Sequence, residues 1–170
     1  MALCDLWLRL IKLNPGEDPH GRLGQLRLMI PQALHYQDNY AGLRAIRGRT
    51  AARQQVAGNL GLHYVEQTTV SRRQSGMSGI RQKLASDIGY PGAAATWTLE
   101  FEGGSRHAVA GFCGIGGQEP ILRLILHLFD PNVGEYRGEL RELNSILDDL
   151  LGRFPVYHTV KSVCRTWEGS

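Results

Sequence analysis

Residues 96–134 read TWTLEFEGGSRHAVAGFCGIGGQEPILRLILHLFDPNVG, and their dominant period is two. Trp97, Leu99 and Phe101 alternate with Thr96, Thr98 and Glu100, which predicts a half-buried strand. Gly103-Gly104 supplies a tight hairpin turn. His107 to Cys113 follows as a second strand, and Gly114 to Gly117 as a Gly-rich turn. Leu122, Leu124, Leu126 and Leu128 alternate with Arg123, Ile125, His127 and Phe129 as a third strand. Asp130-Pro131-Asn132-Val133-Gly134 breaks that strand as a turn.

Beyond this stretch the period changes. Leu140, Leu143, Ile146, Leu147, Leu150 and Leu151 form an amphipathic helix closed by Gly152, and Val156 to Trp167 reads as a last strand. Upstream, the pattern is helical. Leu3, Leu6, Trp7, Leu10, Ile11 and Leu13 make an i, i+3, i+4, i+7 stripe, which Asn14-Pro15-Gly16 ends. Residues 21–60 read mostly as helix with a break at Pro31, and Leu62 to Val70 as a strand. Ser71 to Gly79 reads as a polar connection. Ile80 to Ile88 is a short helix stopped by Gly89-Tyr90-Pro91-Gly92. Helices first and an antiparallel sheet after them define an α+β class. We expect one domain over residues 1–170, with a mainly helical lobe at 1–92 and a sheet lobe with one helix at 93–170.

Composition agrees with a folded domain. Hydrophobic residues make up 42% and charged residues 21% of 170, which argues against wholesale disorder. The net charge of +3 is too small to single out an acidic partner. Cys4, Cys113 and Cys164 are widely spaced, and an odd number cannot close into a disulfide framework. With no C-x-x-C pair and no His pair at i, i+4, a structural zinc site is not expected. No organic cofactor is implied either. No apolar run is long enough to span a bilayer. The first helix begins without a cap residue, which reads as a chain cut inside a longer helix.

Thiol chemistry needs a Cys at a helix start, where the macrodipole favours thiolate. It needs a His within reach and a third group to hold the imidazole. Cys4 lies on the first helix. His107 opens one strand and Asp130 ends the next. If those strands are antiparallel neighbours, His107 and Asp130 meet at one rim of the sheet, where loops on a rigid scaffold carry catalytic groups. Taken singly, each has a blander explanation. Cys4 is a small buried hydrophobe, His107 an edge-strand polar group, and Asp130 a good turn residue before Pro131.

His107-Ala108-Val109-Ala110, followed by Phe129-Asp130-Pro131-Asn132-Val133-Gly134-Glu135-Tyr136, resembles the His and Asp blocks of the YopT/AvrPphB family of effector cysteine proteases. Ala2-Leu3-Cys4-Asp5-Leu6-Trp7-Leu8 resembles the family's Cys helix, in which a Trp follows the Cys by about two turns. That resemblance implies a papain-like fold and a Cys4–His107–Asp130 triad. It also implies export by a bacterial secretion system (type III by analogy), with action in the cytoplasm of a host cell. The family's targets include prenylated Rho-type GTPases and a plant kinase. One departure stands out: Cys4 precedes Trp7 by three residues. Counting back from Trp7 places the family's Cys just ahead of Met1, so the nucleophile is either Cys4 or a Cys upstream.

Three functions stay open at this level: a thiol endopeptidase cutting a host protein, a glutamine deamidase or acyl transferase using the same triad, and a catalytically dead peptide-binding relative. A monomer is expected. Arg44, Arg47, Arg49 and Arg53, with Arg72 and Arg73, form a basic cluster that could steer toward an acidic tail or an anionic membrane surface. Nucleic acid is not an expected partner, because aromatic interleaving is missing. Gly111-x-x-Gly114-x-Gly116-Gly117 lacks the Lys-Ser/Thr of a phosphate loop. His20, His35, His63, His127 and His158 read as surface or satisfied residues without acidic partners.

Overall fold

The structure is a computed structural model that describes residues 2–116, 122–154 and 157–167. Side chains at 64, 66, 162–164, 166 and 167 lie outside that description, and with them the packing expected of Cys164. In chain order the elements are α1 (Ala2–Leu13), α2 (Pro19–Leu28), α3 (Ile30–Arg47), α4 (Arg49–Gly58), β1 (Leu62–Ser71) and α5 (Arg72–Ile88). Then come β2 (Ala94–Phe101), β3 (Arg106–Gly116), β4 (Arg123–Asp130), β5 (Gly134–Glu139), α6 (Leu143–Gly152) and β6 (Tyr157–Trp167). The strands form one antiparallel sheet in the order β1-β6-β2-β3-β4-β5. The α+β class read from the sequence is the class found.

The sheet has helices on both faces. Ala94, Ala110, Phe112 and Phe129 turn toward α1, while Ala95, Trp97, Leu99, Val109, Cys113, Leu126 and Leu128 turn toward α5 and α6. Successive residues of a strand point to opposite faces. With both faces covered, Ala94 to Leu99 of β2 are all buried. On the face toward α5 and α6 the Trp97 ring lies across the neighbouring strand at Gly111, where a Cβ would lie 2.4 Å from Trp97 Cη2. On α1 eight residues are buried, among them Leu6, Trp7, Leu8 and Ile11 with no exposure. A helix buried almost all round is a central one, sandwiched between sheet and outer helices. Each such side chain contributes about 1.5–3 kcal/mol relative to exposure.

Two local rules set the boundaries. Asp18 caps α2, its carboxylate accepting from the backbone N–H of His20 (2.9 Å) and Gly21 (3.1 Å), with Pro19 in the first turn. The β2–β3 turn uses Gly103 and Gly104 at φ 86° and 84°, a left-handed conformation that a β-carbon disfavours.

Several sequence expectations are corrected. Residues 71–79 are not a loose connection: β1 runs to Ser71 and α5 starts at Arg72, kinked at Gly76 (φ 62°). Polar residues there mark the exposed first turns of a helix. The turn after Asp130 leads into a further strand, β5, which carries too few apolar residues to show the period. Gly114 and Gly116 lie within β3, not in a turn; the expected turn residue 117 and Val156 fall outside the described residues.

Candidate active site

β3 and β4 pair with Ala110 opposite Phe129 and Gly111 opposite Leu128. That register carries the start of β3 to the end of β4. His107 Nε2–H donates to Asp130 Oδ1 at 2.8 Å. The same oxygen accepts the backbone N–H of Asn132 at 2.8 Å, an Asx-type turn that fixes the carboxylate on its own loop. Asp130 has no exposure, whereas the His107 side chain keeps 14%. The imidazole rests on Phe154, ring centroids 4.6 Å apart. One carboxylate edge and one aromatic face therefore hold the ring.

The electrostatics follow. Burial alone would raise the Asp130 carboxyl. Hydrogen bonds from His107 and the Asn132 amide, with the charge of Arg153, outweigh it and hold Asp130 below the usual carboxylate range. An ionised Asp130 can only accept, so the proton sits on His107 Nε2 and leaves Nδ1 as the basic nitrogen. Nδ1 makes no hydrogen bond among the described residues.

Cys4 is placed differently. It packs with Ala110, Phe112 and Phe129 and has no exposure. By strand alternation, His107 and Asp130 point to the opposite face from Ala108 and Phe129. No hydrogen bond among the described residues joins Cys4 to either. Its thiol is pushed up to about 12, above all by burial, with the carboxylates of Asp5 and Asp130 adding to it. The structure thus brings together two of the three sequence-predicted residues, and leaves the third in the core within range of Asp130's charge.

The amino end of α1 nonetheless stands at this rim. A hollow of about 230 Å³ is lined by Leu3 of α1, Leu26 and Ile30 on one side, and Pro131, Asn132 and Gly134 on the other. A second arrangement was not anticipated. The buried carboxylate of Glu135 accepts from Trp7 Nε1 (2.8 Å) and from Arg22 Nη1, and meets His127 Nδ1 at 2.8 Å. His127 is 2% exposed and satisfied, as one of the two expectations for it had it, but its partner is an acid, which was not expected. Trp7 also stacks on Phe129, centroids 5.4 Å apart. These partners lie up to 128 residues apart, a distance that no local spacing reveals. The one available signal was the position of Glu135 within the Asp block.

Fold and rim together define a class: an α+β protein with a His–Asp pair where two neighbouring strands of a central sheet end. Among solved structures, the crystal structure of the Pseudomonas avirulence protein AvrPphB is similar to this chain. The TM-score is 0.75 at 19% identity, covering 97% of this chain and 89% of that one. No family model and no curated protein matches the sequence. At that identity the likeness concerns the fold.

Proposed function

We propose that residues 1–170 form a single papain-like thiol endopeptidase domain that acts as a secreted effector on a host protein. The observation that carries this reading is the His107–Asp130 hydrogen bond, 2.8 Å long, made by a fully buried carboxylate at the rim where α1 begins. The AvrPphB-like fold supports it. In the proposed mechanism, a thiolate on the amino end of α1 attacks the scissile carbonyl. His107 Nδ1, having taken that thiol's proton, passes it to the leaving amine as the C–N bond breaks, then takes a proton from the water that hydrolyses the thioester and returns it to the sulfur, while Asp130 orients the ring. The helix dipole of α1 favours the thiolate. The sulfur is Cys4 after a rearrangement that exposes it, or a Cys one turn earlier on the same helix. A small GTPase or a kinase in the host cytoplasm is the proposed substrate class, taken from the family resemblance.

The test is labelling by a peptide acyloxymethyl ketone, run on residues 1–170 and on a longer form carrying residues ahead of Met1. One α1 cysteine is alkylated, and His107→Ala slows this by about 10²- to 10⁴-fold. No labelling of either form, or labelling indifferent to His107→Ala, overturns the proposal. Mass spectrometry of a treated host lysate separates a cut backbone from a deamidated glutamine. The burial of Cys4 favours a second reading, a peptide-binding relative without a nucleophile. That reading requires binding to the rim without alkylation.

A further inference from the structure

A separate pocket of about 120 Å³ lies between α1, α3, α4 and β6. Among the described residues, its wall holds two buried guanidinium groups, Arg53 (6% exposed) and Arg165 (3% exposed), and one carboxylate, Asp5 (4% exposed). Asp5 is engaged: its Oδ1 accepts from Arg165 Nη2 at 3.2 Å. Arg53 forms no ion pair among the described residues, and its buried Nε finds no hydrogen-bond partner there. Tyr36 and Tyr40 also line the pocket, the Tyr36 hydroxyl accepting from Gln32 Nε2 at 3.2 Å and keeping its own proton to donate.

A buried charge is ordinarily paired, because a desolvated ion without a counter-charge is strongly unfavourable. Among the described residues Arg165 has Asp5 as counter-ion, and Arg53 has none. The hollow beside it, about 120 Å³, is large enough for a small anion, and the Arg53 guanidinium lines it. A planar guanidinium presents a fork of N–H groups that matches carboxylate and phosphate oxygens.

We propose that this pocket is a binding site for a small oxyanion, phosphate or carboxylate, held by the buried guanidinium of Arg53 with Tyr36 and Tyr40 on the same wall. It requires no thiol chemistry at the sheet rim, so it stands or falls apart from the protease reading. Two sources share this chemistry, a free inorganic anion and the acidic side chain of a bound polypeptide.

Calorimetric titration and thermal unfolding of the chain at constant ionic strength test it. Inorganic phosphate and N-acetyl-aspartate methylamide are the probes, with chloride as the reference. One or both bind saturably and raise the unfolding temperature. Phosphate alone identifies a free anion, and the aspartate mimic identifies an acidic side chain. Arg53→Gln weakens binding roughly tenfold or more, the loss of a charged hydrogen bond. Gln37→Glu, at the exposed lip of the pocket, supplies a competing carboxylate without burying a charge. It weakens binding several-fold with the fold intact, which covers the case of Arg53→Gln failing to fold. Absence of saturable binding by both probes, or binding unchanged in Gln37→Glu, overturns the proposal.

Discussion

At the scale of single residues, His107 and Cys4 illustrate opposite treatments of a reactive group. His107 keeps some exposure, a carboxylate on one nitrogen and an aromatic wall. Cys4 has no exposure, and its thiol lies near pH 12. A thiol of that acidity is thiolate in about one molecule in ten thousand at pH 8. Native protein treated with iodoacetamide at pH 8 should leave the Cys4 peptide unmodified by mass spectrometry for as long as it stays folded, and full modification should follow in denaturant. Rapid native labelling, slowed by His107→Ala, would instead make Cys4 the nucleophile. His107 and Asp130 were both legible as candidates because each sits at a strand end beside turn residues. The burial of Cys4 was half legible, since it lies beside the apolar stripe of α1. How far that stripe wraps round the helix depends on α2 to α4, which no pattern within α1 records.

At the scale of elements, the joint between α1, α2, β4 and β5 runs through one carboxylate. Glu135 receives Trp7, Arg22 and His127, and Arg22 also donates to the carbonyls of Asn14 (3.2 Å) and Glu17 (2.8 Å). The loop that carries Asp130 and the helix proposed to carry the thiol are thereby tied together through β5. Removing the carboxylate leaves a fully buried guanidinium without its anion. Glu135→Ala should therefore lower the unfolding free energy by about 3–5 kcal/mol, read from urea denaturation at neutral pH. Glu135→Gln, which still accepts a hydrogen bond, should cost less. A loss below about 1 kcal/mol for Glu135→Ala would mean that the cluster does not hold these elements together. Periodicity placed most of the elements because each buries a face along its own length. It missed β5, where Gly134, Glu135, Arg137, Gly138 and Glu139 hide the alternation. It also missed the first turns of α5, whose apolar contacts begin only later in the helix.

At the scale of the whole molecule, groups held away from their ordinary acidities set the pH range of the fold. Asp130 and Glu135 are both held low. Burial opposes this in each case, and hydrogen bonds win: from His107 and the Asn132 amide to Asp130, and from His127, Trp7 and Arg22 to Glu135. A depressed carboxyl contributes stability that is present above its unfolded value, 3.8 for Asp and 4.5 for Glu, and lost as pH falls through the folded value. Cys4 acts in the other direction. Its stabilising effect is complete below 9.0 and fades as pH rises toward about 12, on the order of 4 kcal/mol over that range. Thermal unfolding followed by circular dichroism should show a plateau between about pH 5 and 8. Below pH 4 the transition should fall, and Glu135→Gln should flatten that limb in part, because it removes one of the carboxyls held low, the others being Asp18, Glu100 and Asp130. Above pH 9 it should fall again, and Cys4→Ala should flatten that limb without moving the acid one. An alkaline limb identical in Cys4→Ala would place the thiol in contact with solvent, and the buried position of α1 at the centre of the fold would be wrong.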